Sequence, residues 1–209
     1  MTADPRTPMR ADARRNRDQI LAAAKVVFQA QGADVPMEDI ARSAGVGVGT
    51  LYRRFPDRES LIRAVARDSF GRVLEEVRAV AREEPSAWDT ITRLLAHSRE
   101  LRVTAQLALL SERARAVITG DPDIRGFRDE IFGLIDDLVA AAQREGSLRT
   151  DIGAGDIGVL LSLLVRHFPA ADTGVADMML HRATALILDG LRAPGMPLPG
   201  RPLVQGDLA

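Results

Sequence analysis

The chain has 209 residues, 46% of them apolar, and a formal net charge of −1. That is enough apolar side chain for a sizeable core, and it excludes a wholly disordered protein. With no cysteine there are no disulfides and no thiolate zinc site; His97, His167 and His181 are not spaced as ligands on one helix face, so neither a metal nor another cofactor is expected.

No run of 18 apolar residues occurs, and the longest apolar stretch, residues 159–165, is too short to span a bilayer. The N-terminal residues are polar and hold no apolar signal core. The expectation is a soluble, cytoplasmic protein with no membrane partner. Charge is unevenly shared: residues 1–68 carry 12 basic and 9 acidic side chains, and the remaining chain is acidic. A basic N-terminal part with an acidic body suits a nucleic-acid reader joined to something that stays off the nucleic acid.

Residues 1–11, with Pro5 and Pro8 and no periodicity, read as a disordered arm. Ile20, Leu21, Ala24, Val27 and Phe28 then recur at helical intervals, predicting a first helix over residues 12–31 with Gly32 as its stop. Pro36 opens a second helix carrying Ile40, Ala41 and Ala44, and Gly45 ends it. A third runs over residues 48–55 with Leu51 and Phe55 inward. Asp57 caps a fourth, a linking helix over residues 58–82. Ser86 caps the next helix, and more helix is expected around residues 103–114. A turn at Gly120-Asp121-Pro122 precedes a long helix over residues 122–144, ended by Gly146. Two more helices span residues 154–167 and 175–191, and the proline-rich residues 193–209 form an irregular tail. No strand pattern appears. The class is all-α, about nine helices, with a three-helix head and a larger helical body over residues 83–192.

Residues 37–58 carry the chemistry. Two short helices meeting steeply need a tight turn with positive φ, which Gly45, and Gly47 as an alternative, supply. A helix entering the major groove needs small, polar or basic outer residues, and Val48, Gly49, Thr50, Tyr52, Arg53 and Arg54 provide them, with Gly47 ahead of them in the expected DNA-binding set. Thr50 offers its hydroxyl to a phosphate or a base edge, Tyr52 its hydroxyl to phosphate, and Arg53 or Arg54 forks onto guanine or neutralises phosphate. Arg58 joins the backbone amides at the start of the fourth helix as a phosphate site. Arg14, on the opening turns of the first helix, completes the expected DNA-binding set. No nucleophile–base pair or phosphate loop points to an enzyme.

Residues 13–67 resemble the DNA-binding domain of the TetR/AcrR family of bacterial transcriptional regulators. The resemblance rests on Ile20-Leu21-Ala22-Ala23-Ala24, Phe28, Gly32, Asp39-Ile40-Ala41, Ala44-Gly45-Val46, Gly49-Thr50-Leu51-Tyr52, Phe55 and Leu61. It implies a reading head over residues 12–57, a body that binds a small-molecule effector and dimerises, and repression of a palindromic double-stranded operator relieved by that effector. The chain departs from the family pattern at Pro36 and Gly47, where a hydroxyl residue often caps the helix. More of the phosphate grip then falls on Thr50, Tyr52 and Arg58.

In the body, Trp88, His97, Gln106, Phe127 and Arg166 are candidate effector contacts, being polar or aromatic groups in apolar surroundings. Family resemblance implies a homodimer through the last two helices, for which Leu160, Leu164, Leu180 and Ile187 are the candidate interface residues.

Overall fold

The computed structural model describes residues 6–97, 111–164, 173–193 and 195–208. Among the described residues it is all-helical: α1 Arg6–Gln31, α2 Met37–Ser43, α3 Val48–Arg54, α4 Arg58–Glu83, α5 Ala87–His97, α6 Glu112–Gly120, α7 Pro122–Arg144, α8 Ala154–Leu164 and α9 Thr173–Leu191. A short 3-10 helix, Gln205–Leu208, lies in the tail. The one β-type contact among the described residues is an isolated bridge between Leu148 and Arg192.

The chain forms two compact units. Among the described residues, those up to 69 and 111–124 make the first; those from 70 to 97 and from 125 onward make the second. The core of the first unit joins Ile20, Leu21 and Phe28 of α1 to Ile40, Leu51, Phe55, Leu61 and Val65, and it includes Ala114 and Val117 of α6. The head is therefore larger than the expected residues 12–57, and the boundary at residue 83 does not hold for residues 112–124. Small apolar side chains on α6 fill the head's core, a long-range fit that periodicity does not announce. The second core gathers Val73 and Val77 of α4, Trp88, Ile91 and Leu95 of α5, Ile131, Ile135 and Val139 of α7, and Ile157 of α8.

Helix ends follow local chemistry. At the end of α2, Val46 N–H donates to Ala41 O at 3.0 Å and Gly45 N–H to Arg42 O at 3.2 Å. Gly45 has φ +66°. This is a Schellman closure, and it turns the chain sharply into α3. Ser60 N–H donates to Asp57 Oδ1 at 2.7 Å, and Asp57 N–H to Ser60 Oγ at 3.3 Å. A related pairing joins Ser86 and Asp89 ahead of α5, where Asp89 N–H donates to Ser86 Oγ at 3.0 Å.

Two expectations need correcting. α1 opens at Arg6, inside the segment expected to be a disordered arm. Pro8 stands in its first turn, where a missing N–H has no intrahelical acceptor to lose. The helix expected around residues 103–114 lies mostly outside the described residues; within them, the extended Ser111 caps a separate helix, accepting from Ala114 N–H.

Candidate nucleic-acid interface

α3 is seven residues long and splits cleanly into two faces. Leu51 is fully buried and Phe55, just past its end, is 5% exposed. Gly47, Val48, Gly49, Tyr52, Arg53 and Arg54 face outward, and Thr50 is half-buried. Tyr52 and Val48 are large side chains left 41% and 39% exposed. Leu51 and Phe55 hold the helix to the core, so the outer face is presented rigidly. Arg53 Nη2 donates to Thr50 Oγ1 at 3.2 Å, one turn away. That bond partly orders a long side chain before it meets anything, which lowers the entropy lost on binding.

The caps of α2 and α3 are bare. Pro36 and Gly47 occupy the N-cap positions and neither makes a side-chain cap bond. Gly47 is extended, with φ −68°, so the positive-φ residue of the turn is Gly45. The first N–H groups of α3 at Val48 and Gly49 are left for an outside acceptor, which suits a phosphate oxygen.

Arg58 is placed differently from the expectation. Its Nη1 donates to Ala33 O at 2.9 Å and also to Val35 O. The guanidinium is turned inward and satisfies two carbonyls of the α1–α2 connection, which no helix ladder reaches. Its work is to hold the loop that positions α2. Arg14 lies on α1, with its side chain outside the described residues.

Asp121 reads in the sequence only as part of a turn. Its side chain is 2% exposed, and Arg67 and Arg63 approach it at 2.8 and 3.3 Å. Asp121 Oδ1 also accepts from the N–H groups of Asp123 and Ile124, capping α7. Burial pushes this carboxyl up, but the Arg67 bonds and the two backbone donors outweigh it and leave it below the usual carboxylate range. The linkage spans 54 residues, so no local motif signals it.

In the second unit, Trp88 is buried and packs in the core with the Arg192 guanidinium 4.7 Å from its ring centroid. Phe127 is half-buried against the same core. Neither lines the unit's small apolar cavity, which α5, α7 and α8 enclose with Ile91, Leu94, Ile135, Leu138, Gly158 and Leu161 among its walls. Gln106 and Arg166 lie outside the described residues, as does the His97 side chain.

The candidate interface residues also divide. Leu164 is 5% exposed and belongs to its own chain's interior. Leu160 and Ile187 are partly buried against that core, and Leu180 is half-buried. The apolar groups left outward are their neighbours: Leu163 on α8, and Val175, Met178, Met179 and Leu186 on α9. Helical spacing identified the apolar helices but not which stripe their own core consumes.

Residues 20–65 match the family model for bacterial regulatory proteins of the tetR family, and residues 89–193 match the model for the SbtR-like transcriptional regulator C-terminal domain. A TetR transcriptional regulator of Streptomyces coelicolor is 34% identical, with TM-score 0.65, over 86% of this chain and 99% of that one. A TetR regulatory protein of Mycobacterium vanbaalenii is 31% identical, with TM-score 0.55, over 89% and 100%. HTH-type transcriptional regulators of Staphylococcus aureus are 43% identical over 54 residues, which is 25% of this chain; the match spans 29% of those proteins' length. The matched residues include the reading helix, the Gly45 turn and most of the helical body. The chain belongs to the TetR family of bacterial transcriptional regulators.

Proposed function

We propose that the protein is a homodimeric repressor of palindromic operators, released by a small-molecule effector. The observation that carries the DNA-binding reading is α3 itself. It is pinned from behind by Leu51 and Phe55, and it offers Gly47, Val48, Gly49, Thr50, Tyr52 and Arg53 to a groove. Arg53 is the candidate for guanine, Tyr52 and Thr50 for phosphate, and Val48 for a thymine methyl.

Dimerisation is supported by the outward Leu163, Val175, Met178, Met179 and Leu186. Two reading helices related by a two-fold axis fit half-sites about one DNA turn apart, on the order of 34 Å, or a multiple of it. An effector in the body is supported by the apolar cavity and by the fold it shares with FadR of Bacillus subtilis, solved in complex with stearoyl-CoA at 20% identity and TM-score 0.59. Such an effector acts by favouring a state with lower operator affinity. Among the described residues no helix is long and apolar enough to cross a membrane.

Genomic selection of bound DNA fragments identifies the operator. On it, Arg53→Ala is expected to weaken binding by about 1–3 kcal/mol if Arg53 reads a base, and Tyr52→Phe to weaken it less and uniformly across sequences. Unchanged binding by the Tyr52→Phe/Arg53→Ala double variant removes α3 as the reading helix.

A further inference from the structure

The C-terminal tail is not loose. Residues 195–208 run back along the second unit and are held chiefly through backbone atoms. Leu198 N–H donates to Asp151 Oδ2 at 2.8 Å, Leu203 N–H to Asp156 Oδ2 at 2.9 Å, and Gly155 N–H to Leu203 O at 3.0 Å. Arg149 Nη2 donates to the Met196 carbonyl. Gln205 Nε2 reaches Asp129 Oδ1 at 2.6 Å.

The bed for this strap is made of glycine. A Cβ on Gly153 would stand 2.5 Å from Leu203 O, and one on Gly155 would stand 2.5 Å from Leu203 C. A Cβ on Gly158 would stand 2.9 Å from Leu208 Cδ1 and 3.3 Å from the Phe132 ring. Three positions at the start of α8 thus admit the strap because they lack side chains.

Gly158 has a second neighbour. It forms part of the wall of the apolar cavity between α5, α7 and α8. Leu208 and the Phe132 ring therefore both pack on a residue of that wall. The cavity measures about 30 Å³, the room of one water, whereas sites that hold an organic ligand are roughly 300–1,000 Å³. It takes a ligand only by growing, and at Gly158 its wall has no side chain, with Leu208 of the strap and the Phe132 ring packed there instead. The strap is removable because its hold is polar. None of the residues of its 3-10 helix is fully buried, and Met196, Leu198 and Val204 point to solvent. On release such bonds are exchanged for bonds to water, which offsets part of the strength of each.

We propose that residues 195–208 are a latch that competes with an uncharged, apolar effector for the α5–α7–α8 cavity. The ligand class follows from the lining: Ile, Leu and Gly offer no partner to a charged group, which would be stranded there. The latch rests on the effector-binding reading given above and deepens it. With the strap closed, only the open fraction binds, so apparent affinity falls in proportion.

The test uses the full chain and the uncharged dye Nile red. Gly155→Ala suits the α8 helix but drives a methyl into the Leu203 carbonyl carbon, expelling the strap. Leu208→Ala leaves the strap's backbone in place and removes the plug. Hydrogen exchange over residues 195–208, followed by mass spectrometry, is expected to be several-fold faster in Gly155→Ala and unchanged in Leu208→Ala. Dye affinity is expected to rise about tenfold in the first and by a smaller factor in the second. An unlatched strap with unchanged or weaker dye binding overturns the proposal, as does a Gly155→Ala variant whose tail exchanges no faster. If Gly155→Ala does not fold, Leu208→Ala decides alone: unchanged dye affinity sinks the latch. Operator binding is read separately on the wild-type protein. Dye binding that follows the latch without any DNA binding overturns the regulator reading and supports the latch; intact operator binding with dye binding blind to the strap overturns the latch alone.

Discussion

Arg67 Nη2 stands 2.8 Å from Asp121 Oδ2, and through it α4 is tied to the turn between α6 and α7 within the head unit. The same carboxylate caps α7 through Oδ1. Asp121→Ala removes both the charge and the cap. Both arginines are 41% exposed, so water screens the ionic part. The expected loss is about 2 kcal/mol, with the cap contributing about half. Asp121→Asn keeps the cap acceptor and is expected to lose less. Urea unfolding followed by far-UV circular dichroism measures the difference.

Arg58 separates a scaffold role from a DNA contact. Removing it leaves the Ala33 and Val35 carbonyls without their donor, for an expected loss of about 1–2 kcal/mol in head stability. If its guanidinium gripped a phosphate, removing it would also flatten the plot of log affinity against log salt by roughly 0.9. Arg58→Ala is expected to leave that slope unchanged while lowering the unfolding midpoint. A slope change of that full size would put Arg58 on the DNA.

Gly45 sits at φ +66° with open space where a Cβ would go, so the penalty for a side chain there is conformational rather than steric. Gly45→Ala is expected to destabilise the head by about 1 kcal/mol, and Gly45→Asn by less, since asparagine tolerates the left-handed region. Thermal melts of the two variants give the order; alanine equal to or better than asparagine contradicts it.

The outward stripe on α9 predicts where charge breaks a dimer. Met178→Glu combined with Leu186→Glu is expected to yield a folded monomer by sedimentation, with operator affinity reduced. Leu164→Glu, at a position 5% exposed in the single chain, is expected to lower stability instead, because it buries a carboxylate. A charged stripe that leaves the sedimentation coefficient untouched moves the interface elsewhere.

Asp151 and Asp207 give the tail a pH dependence with a definite sign. Bonds from Arg149 and the Leu198 N–H hold Asp151 well below the usual carboxylate range, and bonds from Arg201 and the Val204 N–H do the same for Asp207. Depressed carboxylates stabilise the closed strap fully above the free value of about 3.9 and lose that contribution as pH falls below it. Hydrogen exchange over residues 195–208, corrected for the intrinsic rate, is expected to be flat from pH 7 to about 5 and to accelerate below about 4. Acceleration on going alkaline would be the opposite sign.

What could be read from the sequence had a local cause. Gly45, Gly32 and Gly146 end helices because positive φ is a single-residue property. Asp57 and Ser86 announce caps because their partners are three residues away. The two faces of α3 were legible for the same reason: its inward and outward residues alternate within seven positions. What the sequence hides is long-range. Arg58 reaches back 25 residues to Ala33, Asp121 reaches 54 to Arg67, and Asp151 and Asp156 each bond residues 47 further on. The run Gly153-Ala154-Gly155-Asp156-Ile157-Gly158 shows three glycines to the sequence reader, but only the returning tail explains why side chains are missing there.

The chain has one tryptophan and one tyrosine. Trp88 lies in the core of the body beneath Arg192, and Tyr52 stands on the outer face of α3 in the head. Each unit thus carries its own chromophore. Selective excitation of the indole follows melting of the body without interference from the head, while the phenol, free of any second tyrosine, reports on the outer face of α3. An unlabelled protein can therefore show by light alone which half responds first.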